Sequence, residues 1–525
     1  MRQAKDVETM ERMTGPVLVL GLDMADGALI RRWSRQGRLP HLADLARAGA
    51  TLELDTPADA LHTSTWPTFA TGVLPGQHGV YYPYQPTPGQ QFARQIGPDQ
   101  YGARTLWSRA DAAGRSCLVY DVPETFPENG FRGRAIYDWG TWAHYGSTSA
   151  QPHTLLRELR SRFGRYPLGY EAMRLGFAHP EGIDAPLLES VRYKSATAQW
   201  LLQQADWDLA VIGFGETHCA GHYLWPPGAR VEDADGDPRF ERLFDVYAAL
   251  DAAIGALRTN LPATGTLLVV SGDGVRANHC GWHLLPPLLA RLGYASLSGQ
   301  PGTNDGAGAR PSLMARVGRI VPAGLKQRIA DTLPLRTRNR LGLMTQAAAY
   351  DWPRTRAFAL PTDLEGCVRL NVRDREPQGI VEPGAEYEDL CRELQTRLEE
   401  LVNPATGAPA VDRVWIRNEI FPGPRQEELP DLIVTWRDDA PIAALTSPRA
   451  GTVEGANPDS RPGTHSTAGL LVAHGPGIPA ASEARGRLVD LAPTILHRLG
   501  VPDTGGLEGT AWRPDANLSI HQERP

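Results

Sequence analysis

Six polar side chains stand where an apolar run ends or a short turn begins: Asp23, Thr65, His218, His222, Asp273 and His465. Carboxylate, hydroxyl and imidazole are the groups that ligate metal ions and that attack electrophilic centres once activated. Asp23 closes the run V-L-V-L-G-L-D at 17–23, and Asp273 closes T-L-L-V-V-S-G-D at 266–273. Taken singly, each of the six has an ordinary explanation. An Asp after a strand commonly shapes a turn, a Thr before Trp-Pro is a loop residue, and a lone His packs into a core. One pair gains from its spacing. His218 and His222, in H-C-A-G-H, put both imidazoles on one face of a helical turn, as a two-histidine metal site requires.

The elements that must hold these groups follow from hydrophobic periodicity. The run at 17–22 is short, continuous and apolar, which reads as a strand buried on both faces with a polar residue at its carboxyl end. Open α/β sheets place ligands at such ends. A helix is expected at 40–48, stopped by Gly49. Strands are expected at 116–121, 208–214 and 266–273, then at 367–372, 411–416, 432–436 and 470–473. Helices are expected at 191–204, 239–257 and 488–499. Strands alternating with helices imply an α/β fold with a mostly parallel sheet covered on both faces. The expected organisation is a flexible N-terminus over 1–15, a core over 16–517 and a tail over 518–525. A Gly-, Pro- and Arg-rich insertion within 290–350 is read as a lid, and 438–464 as a long loop leading into Gly463-Thr464-His465.

Composition narrows the function class. The 525 residues are 42% hydrophobic and 22% charged, as in an ordinary globular protein. A net charge of −7 gives neither the electrostatic footprint of a nucleic-acid-polymer binder nor a polybasic membrane patch. The five cysteines, Cys117, Cys219, Cys280, Cys367 and Cys391, are odd in number and form no C-x-x-C pair. This argues for a reducing compartment, and a cytoplasmic protein is expected. The start lacks an apolar leader core, and the run at 17–22 is far short of the ~20 residues of a membrane span.

The segment L-H-T-S-T-W-P-T-F-A-T-G-V-L-P-G-Q-H-G-V, residues 61–80, resembles the nucleophile region of type I phosphodiesterases and nucleotide pyrophosphatases, a branch of the alkaline phosphatase superfamily. The family's other blocks follow the same order here: a strand ending in Asp, T-G-x-x-P-x-x-H-G, a histidine-bearing metal loop, an S-D-H-G-like loop and a late G-T-H. The resemblance runs from Asp23 to His465 and implies an alkaline-phosphatase-like sheet sandwiched by helices, with inserted lid segments. It also implies a metal-dependent hydrolase that cleaves a phosphodiester or pyrophosphate through attack by Thr65, with a phosphothreonine intermediate. Two divalent ions are implied, and Asp23, Thr65, His222 and His465 match the family's positions.

Two positions depart from the pattern. His218 stands where the family has an Asp ligand, and Ser271-Gly272-Asp273-Gly274 replaces Ser-Asp-His-Gly. One ion would then meet His218, His222 and His465, a set suited to zinc. The other would meet Asp23, Thr65 and Asp273, for which manganese, magnesium or calcium is better matched than zinc. Asn278, Trp139 and His144 are further candidates for substrate contact, and Glu216 for support of the ligands. The substrate expected is a small phosphodiester or nucleotide-type molecule. A C-x-P-x-R sulfatase sequence is absent. A phosphonate hydrolase, a phosphoryl transferase or a non-catalytic binding protein on the same scaffold are the alternatives.

Overall fold

The computed structural model describes residues 14–86, 89–91, 93–140, 148–168, 182–298, 350–502 and 505–512. All but the last two residues of the expected N-terminal arm, the expected tail and nearly all of the expected lid therefore lie outside the described residues, as does His144.

The centre is a nine-stranded sheet. In chain order its strands are β1 (Val17–Leu22), β2 (Ala50–Asp55), β3 (Cys117–Tyr120), β4 (Arg134–Tyr137), β5 (Ser149–Gln151), β6 (Leu209–Phe214), β7 (Thr266–Ser271), β8 (Gly469–His474) and β9 (Ser482–Arg487). In space they run β9-β2-β8-β7-β1-β6-β3-β4-β5. Only β5 and β8 run against the other strands. The strand read at 17–22 is the middle of this sheet, which explains its unbroken apolar sequence: all six residues are buried. β1 pairs with β7 on one side and β6 on the other, so the loops after these three strands emerge together. Those loops carry Asp23, Asp273 and the His218–His222 segment, so the sheet order by itself gathers residues that lie about 250 positions apart in the chain, as the 249-residue separation of Met24 and Asp273 illustrates.

Helices cover both faces. They are α1 (Gly27–Arg35), α2 (Pro40–Ala48), α3 (Thr65–Thr71), α4 (Asp184–Leu202), α5 (Glu216–Leu224), α6 (Glu241–Arg258) and α7 (Leu491–Arg498). Leu18, Leu20 and Leu22 of β1 point into a core shared with α1, α2, α4, α5 and α6. Val17 and Val19 point into an opposite core with Trp66 and Phe69 of α3 and with Ile495 of α7. Period-two alternation along one strand thus feeds two separate hydrophobic layers. Gly21 matters here. A Cβ at that position would lie 2.5 Å from the ring of Trp66, so only glycine lets α3 settle this closely on β1.

A second lobe follows β7. The strands Ala357–Ala359, Gly366–Leu370, Leu432–Trp436 and Val411–Ile416 form an antiparallel sheet in that order, and the helix Ala385–Glu399 packs on it. The stretches read at 367–372, 411–416 and 432–436 are strands as expected, but they belong to this sheet and not to the central one. Its polar heart is Asp431, whose carboxylate accepts from Arg375 Nη1 and Nη2 (2.8 and 2.7 Å) and from Tyr387 Oη (2.9 Å), with Arg417 Nη1 at 3.2 Å. Burial pushes this carboxyl upward, but the two guanidinium groups prevail and hold it well below the usual carboxylate range. A depressed carboxyl contributes stability that is present above about pH 4 and is lost as the pH falls through the folded-state value. Asp431→Asn leaves the buried Arg417 without its counter-charge and Arg375 with Glu376 as its remaining carboxylate. It is expected to cost roughly 3–5 kcal/mol, read as a lowered denaturant midpoint at neutral pH.

Candidate metal centre and nucleophile

Four segments converge at the carboxyl ends of β1, β6 and β7. Asp23 follows β1 directly, and its backbone N–H is held by the Phe214 carbonyl at the end of β6 (2.9 Å). Ser271, the last residue of β7, stitches the strand ends together. Its Oγ accepts from Ala25 N (3.0 Å) and lies 2.7 Å from the Leu22 carbonyl and 2.8 Å from that of Asp273. The serine of the S-G-D-G block is therefore structural. His78 of the T-G-x-x-P-x-x-H-G block is structural as well. Its Nδ1 accepts from Val80 N (3.0 Å), its Nε2 meets Thr68 Oγ1 (3.1 Å), and burial beside Arg425 pulls its pKa down to about 3.

His218 and His222 lie on α5 in the spacing anticipated, and His465 lies on the strand Gly463–Ser466, which pairs with Gly274–Ala277. The three rings meet with centroids 4.5, 4.9 and 5.1 Å apart. One ring nitrogen from each lies within 4.8 Å of the other two, and all three residues are buried. His222 Nδ1 faces the Gly463 carbonyl at 2.8 Å. A carbonyl only accepts, so His222 carries its proton on Nδ1 and its lone pair on Nε2. His465 Nδ1 bonds Asp273 Oδ2 at 2.6 Å, and His218 Nδ1 lies 3.0 Å from Asp23 Oδ2. Burial holds all three imidazoles below their ordinary pKa, with mutual repulsion and Arg461 adding to the effect on His222 and His465. The nearby Asp23 carboxylate opposes it at His218. Neutral imidazoles fixed by oxygen acceptors are the form that binds a metal ion, and such outer contacts orient the ligands. The three-histidine set fits zinc by number, chemistry and convergence.

The second expected set is brought to the same place. Thr65 opens α3, and its Oγ1 is buried and makes no hydrogen bond among the described residues. It lines a cavity of about 90 Å³ together with Asp23, Asp273, His218 and His465. Asp23 Oδ1 accepts from Trp66 Nε1 (2.7 Å) and Asp273 Oδ1 from Met24 N (3.2 Å). Burial, and then the Asp23 charge beside it, push the Asp273 carboxyl well above its ordinary range. Two buried carboxylates and an unpartnered hydroxyl facing one cavity fit a hard cation. The structure also explains the carboxylate missing from the S-D-H-G-like loop. A Cβ on Gly272 would lie 1.9 Å from Thr65 Cγ2, so the Thr65 methyl occupies the space in which a side chain at 272 would begin.

Other anticipated residues sit elsewhere. Asn278 Nδ2 donates to Asp459 Oδ2 and to the Arg461 carbonyl, both at 3.0 Å, and so holds the loop before His465. Trp139 is packed in the core, with its backbone N–H donating to Asp121 Oδ1 (2.8 Å). Glu216 lies at the start of α5, receives Tyr166 Oη (2.6 Å) and lies 3.8 Å from the fully buried ammonium of Lys194, which in turn bonds Asp121 (2.6 Å). Sequence reasoning passed over His62, Asp363, Glu365 and Arg461. His62 lines the same cavity, and its ring lies 4.3 Å from that of His465, centroid to centroid. Burial lowers its pKa, but Glu365, with Asp363 and Asp273, more than offsets this and raises it to about 9. His62 stands inside the quoted 61–80 block and could have been flagged there. Asp363 and Glu365 sit in a loop with no motif around it.

A mixed, largely parallel sheet sandwiched by helices, with a buried imidazole cluster and a hydroxyl at its strand ends, is an alkaline-phosphatase-like hydrolase architecture. The chain belongs to the type I phosphodiesterase / nucleotide pyrophosphatase family, whose sequence profile matches residues 17–281. Among solved structures it is similar in fold to phosphonoacetate hydrolase from Sinorhizobium meliloti 1021 in complex with phosphonoacetate, at 13% identity over 93% of this chain and 95% of that one, with a TM-score of 0.51. A variant of the alkaline phosphatase PafA matches at 12% identity over 95% and 98%, with a TM-score of 0.50. Murine ectonucleotide pyrophosphatase / phosphodiesterase 5 in complex with AMP matches at 12% over 93% and 96%, with a TM-score of 0.47. No curated protein sequence matched.

The bond from Asp273 to His465 carries a measurable consequence. Asp273→Asn is expected to weaken zinc binding at the three-histidine set by about 10- to 100-fold, read by competition with a chromophoric chelator. An unchanged zinc affinity would remove the carboxylate from its orienting role.

Proposed function

We propose that the chain hydrolyses a phosphodiester or pyrophosphate with Thr65 as nucleophile, and that it uses two divalent ions. His218, His222 and His465 would hold zinc, and Asp23, Thr65 and Asp273 a harder ion such as manganese, magnesium or calcium, or a second zinc. The observation that carries this reading is Thr65 Oγ1 itself: a buried hydroxyl with no hydrogen-bond partner among the described residues, on the cavity that Asp23, Asp273, His218 and His465 also line. Buried polar atoms are rarely left in this state unless a ligand completes them. It also weighs against a binding-only scaffold, which has no need of an unsatisfied hydroxyl at this point.

Ions bound there would lower the pKa of the Thr65 hydroxyl and neutralise the phosphoryl oxygens as charge shifts. The chain's own residues do the rest. Trp66, held by Asp23 and seated on Gly21, fixes the first turn of α3 and so the direction of Thr65. Thr65 Oγ1, giving up its proton, forms the bond to phosphorus while one ester oxygen departs on the opposite side as the protonated leaving group. The phosphothreonine that results keeps the second ester group, and water then cleaves its bond to Thr65 and releases the phosphate monoester. Asp23 sits between the two donor sets, within 3.0 Å of His218 and on the cavity shared with Thr65. On the far wall Tyr82 and Tyr84 offer aromatic surface to the organic part of a small substrate.

Among the described residues no helix is long and apolar enough to cross a membrane. All five cysteines are buried thiols, which supports the reading of a reducing, cytoplasmic setting.

Wild-type protein supplied with zinc and manganese is expected to release p-nitrophenol from bis-p-nitrophenyl phosphate, and Thr65→Ala to lower kcat by at least ~10³-fold. Acid quenching during turnover should trap the mass of one p-nitrophenyl phosphoryl group on the peptide containing Thr65. Turnover that survives Thr65→Ala would eliminate the proposed nucleophile. A panel of nucleotide sugars, dinucleotides and lipid-like diesters then identifies the substrate by kcat/KM.

A further inference from the structure

His62 begins the short turn His62–Ser64 that runs directly into α3 at Thr65. Such a turn has few bonds of its own: Ser64 N reaches the Leu61 carbonyl (3.0 Å), and Ser64 Oγ reaches that of Val80 (2.7 Å). The backbone N–H of His62 is taken instead by Glu365 Oε1 at 2.8 Å, across 303 positions of chain. The same carboxylate takes the side chain, with Nδ1 2.9 Å from both Glu365 oxygens. Both partners are buried, His62 at 7% and Glu365 at 5% exposure. Glu365 enters from the loop before Gly366–Leu370, so it belongs to the second lobe, while Thr65 belongs to the first. Charge-assisted bonds of this kind are short and directional. Here one carboxylate fixes the main chain and the ring of the residue three before the nucleophile, and the ring's other face rests on His465.

We propose that Glu365 is a positioning residue for the reaction: through His62 it sets the line along which Thr65 meets phosphorus, and it makes the second lobe a working part of the active site. The proposal rests on Thr65 being the nucleophile. A displacement of about 1 Å at a nucleophile is enough to cost on the order of 100-fold in rate, and a carboxylate that locks both halves of His62 is placed to prevent such a displacement.

The test uses the full chain with measured zinc content. Glu365→Gln keeps an oxygen in the Oε1 position to accept from His62 N and Nδ1. Glu365→Ala removes it, and Glu365→Asp withdraws it by one methylene while keeping the charge. The expected result is a kcat for Glu365→Ala lowered about 10- to 100-fold per zinc-loaded molecule, with KM for bis-p-nitrophenyl phosphate changed much less. Glu365→Gln should recover most of the loss. Hydrogen exchange of the peptide spanning 61–66 should be faster in Glu365→Ala than in wild type and close to wild type in Glu365→Gln. If Glu365→Ala does not fold, Glu365→Asp is read in its place, with the same signs. A kcat equal to wild type in the Ala or Asp variant overturns the proposal, as does a Gln variant impaired as deeply as Ala. The exchange measurement separates the two readings. Faster exchange together with turnover indifferent to Thr65→Ala would sink the nucleophile and, with it, the catalytic meaning of the clamp.

Discussion

Two carboxylates buried side by side are the constraint around which the rest of this molecule is arranged. Asp23 and Asp273 end neighbouring parallel strands, and each disfavours ionisation of the other. Such a pair persists in charged form only when positive charge or hydrogen-bond donors surround it. The surroundings supply them from every side: an indole N–H from α3, a backbone N–H from Met24, and imidazoles from α5 and from the strand Gly463–Ser466. Each donor comes from a different element, so the elements are held where the carboxylates need them. Divalent cations bound there would neutralise this unfavourable charge, and their occupancy would then be coupled to the order of the rim.

Much of this was legible in the chain. The run ending in Asp23, the run ending in Asp273 and the H-C-A-G-H spacing pointed to strand ends and to a helix face, and these are the positions found. Local pattern carries that information because a central parallel strand must be apolar throughout and a helical pair must be four apart. Sheet membership was not legible. Gly366–Leu370 has the same unbroken burial as a central parallel strand, yet it lies in the antiparallel sheet of the second lobe. A strand's own residues record that it is buried and say nothing of its neighbours. Trp139 and Asn278 show the matching difficulty for side chains. An aromatic and an amide in a loop have the composition of a binding site, but the ring packs into the core and the amide ties down the loop before His465. The union of His62 with Glu365 had no local signature, since it joins two loops that only the packing of the lobes brings together.

The two lobes divide the work unequally. The first lobe carries the groups proposed to meet metal or phosphorus, on and around strand ends that are backed by two hydrophobic layers. The second lobe supplies charge around them. Asp363 pairs with Arg461 at 3.0 Å, Arg461 reaches on to Asp459, and Glu365 meets His62. The lobe is braced in turn by its own buried Arg375–Asp431–Arg417 cluster, on the strand that neighbours Glu365's loop. Rigidity at the site is thus assembled from two independently packed cores meeting across it.

The contact between Thr65 and Gly272 bears on how such a site can change over time. With the threonine methyl resting where a Cβ at 272 would begin, a single substitution that reintroduces a carboxylate there would collide with the residue it was meant to assist. A side chain at 272 would need the Thr65 methyl to turn aside, and that turn would carry Oγ1 with it, because α3 itself is pinned by Trp66 to both Gly21 and Asp23. A side chain at 272 and the present direction of the Thr65 hydroxyl therefore exclude each other.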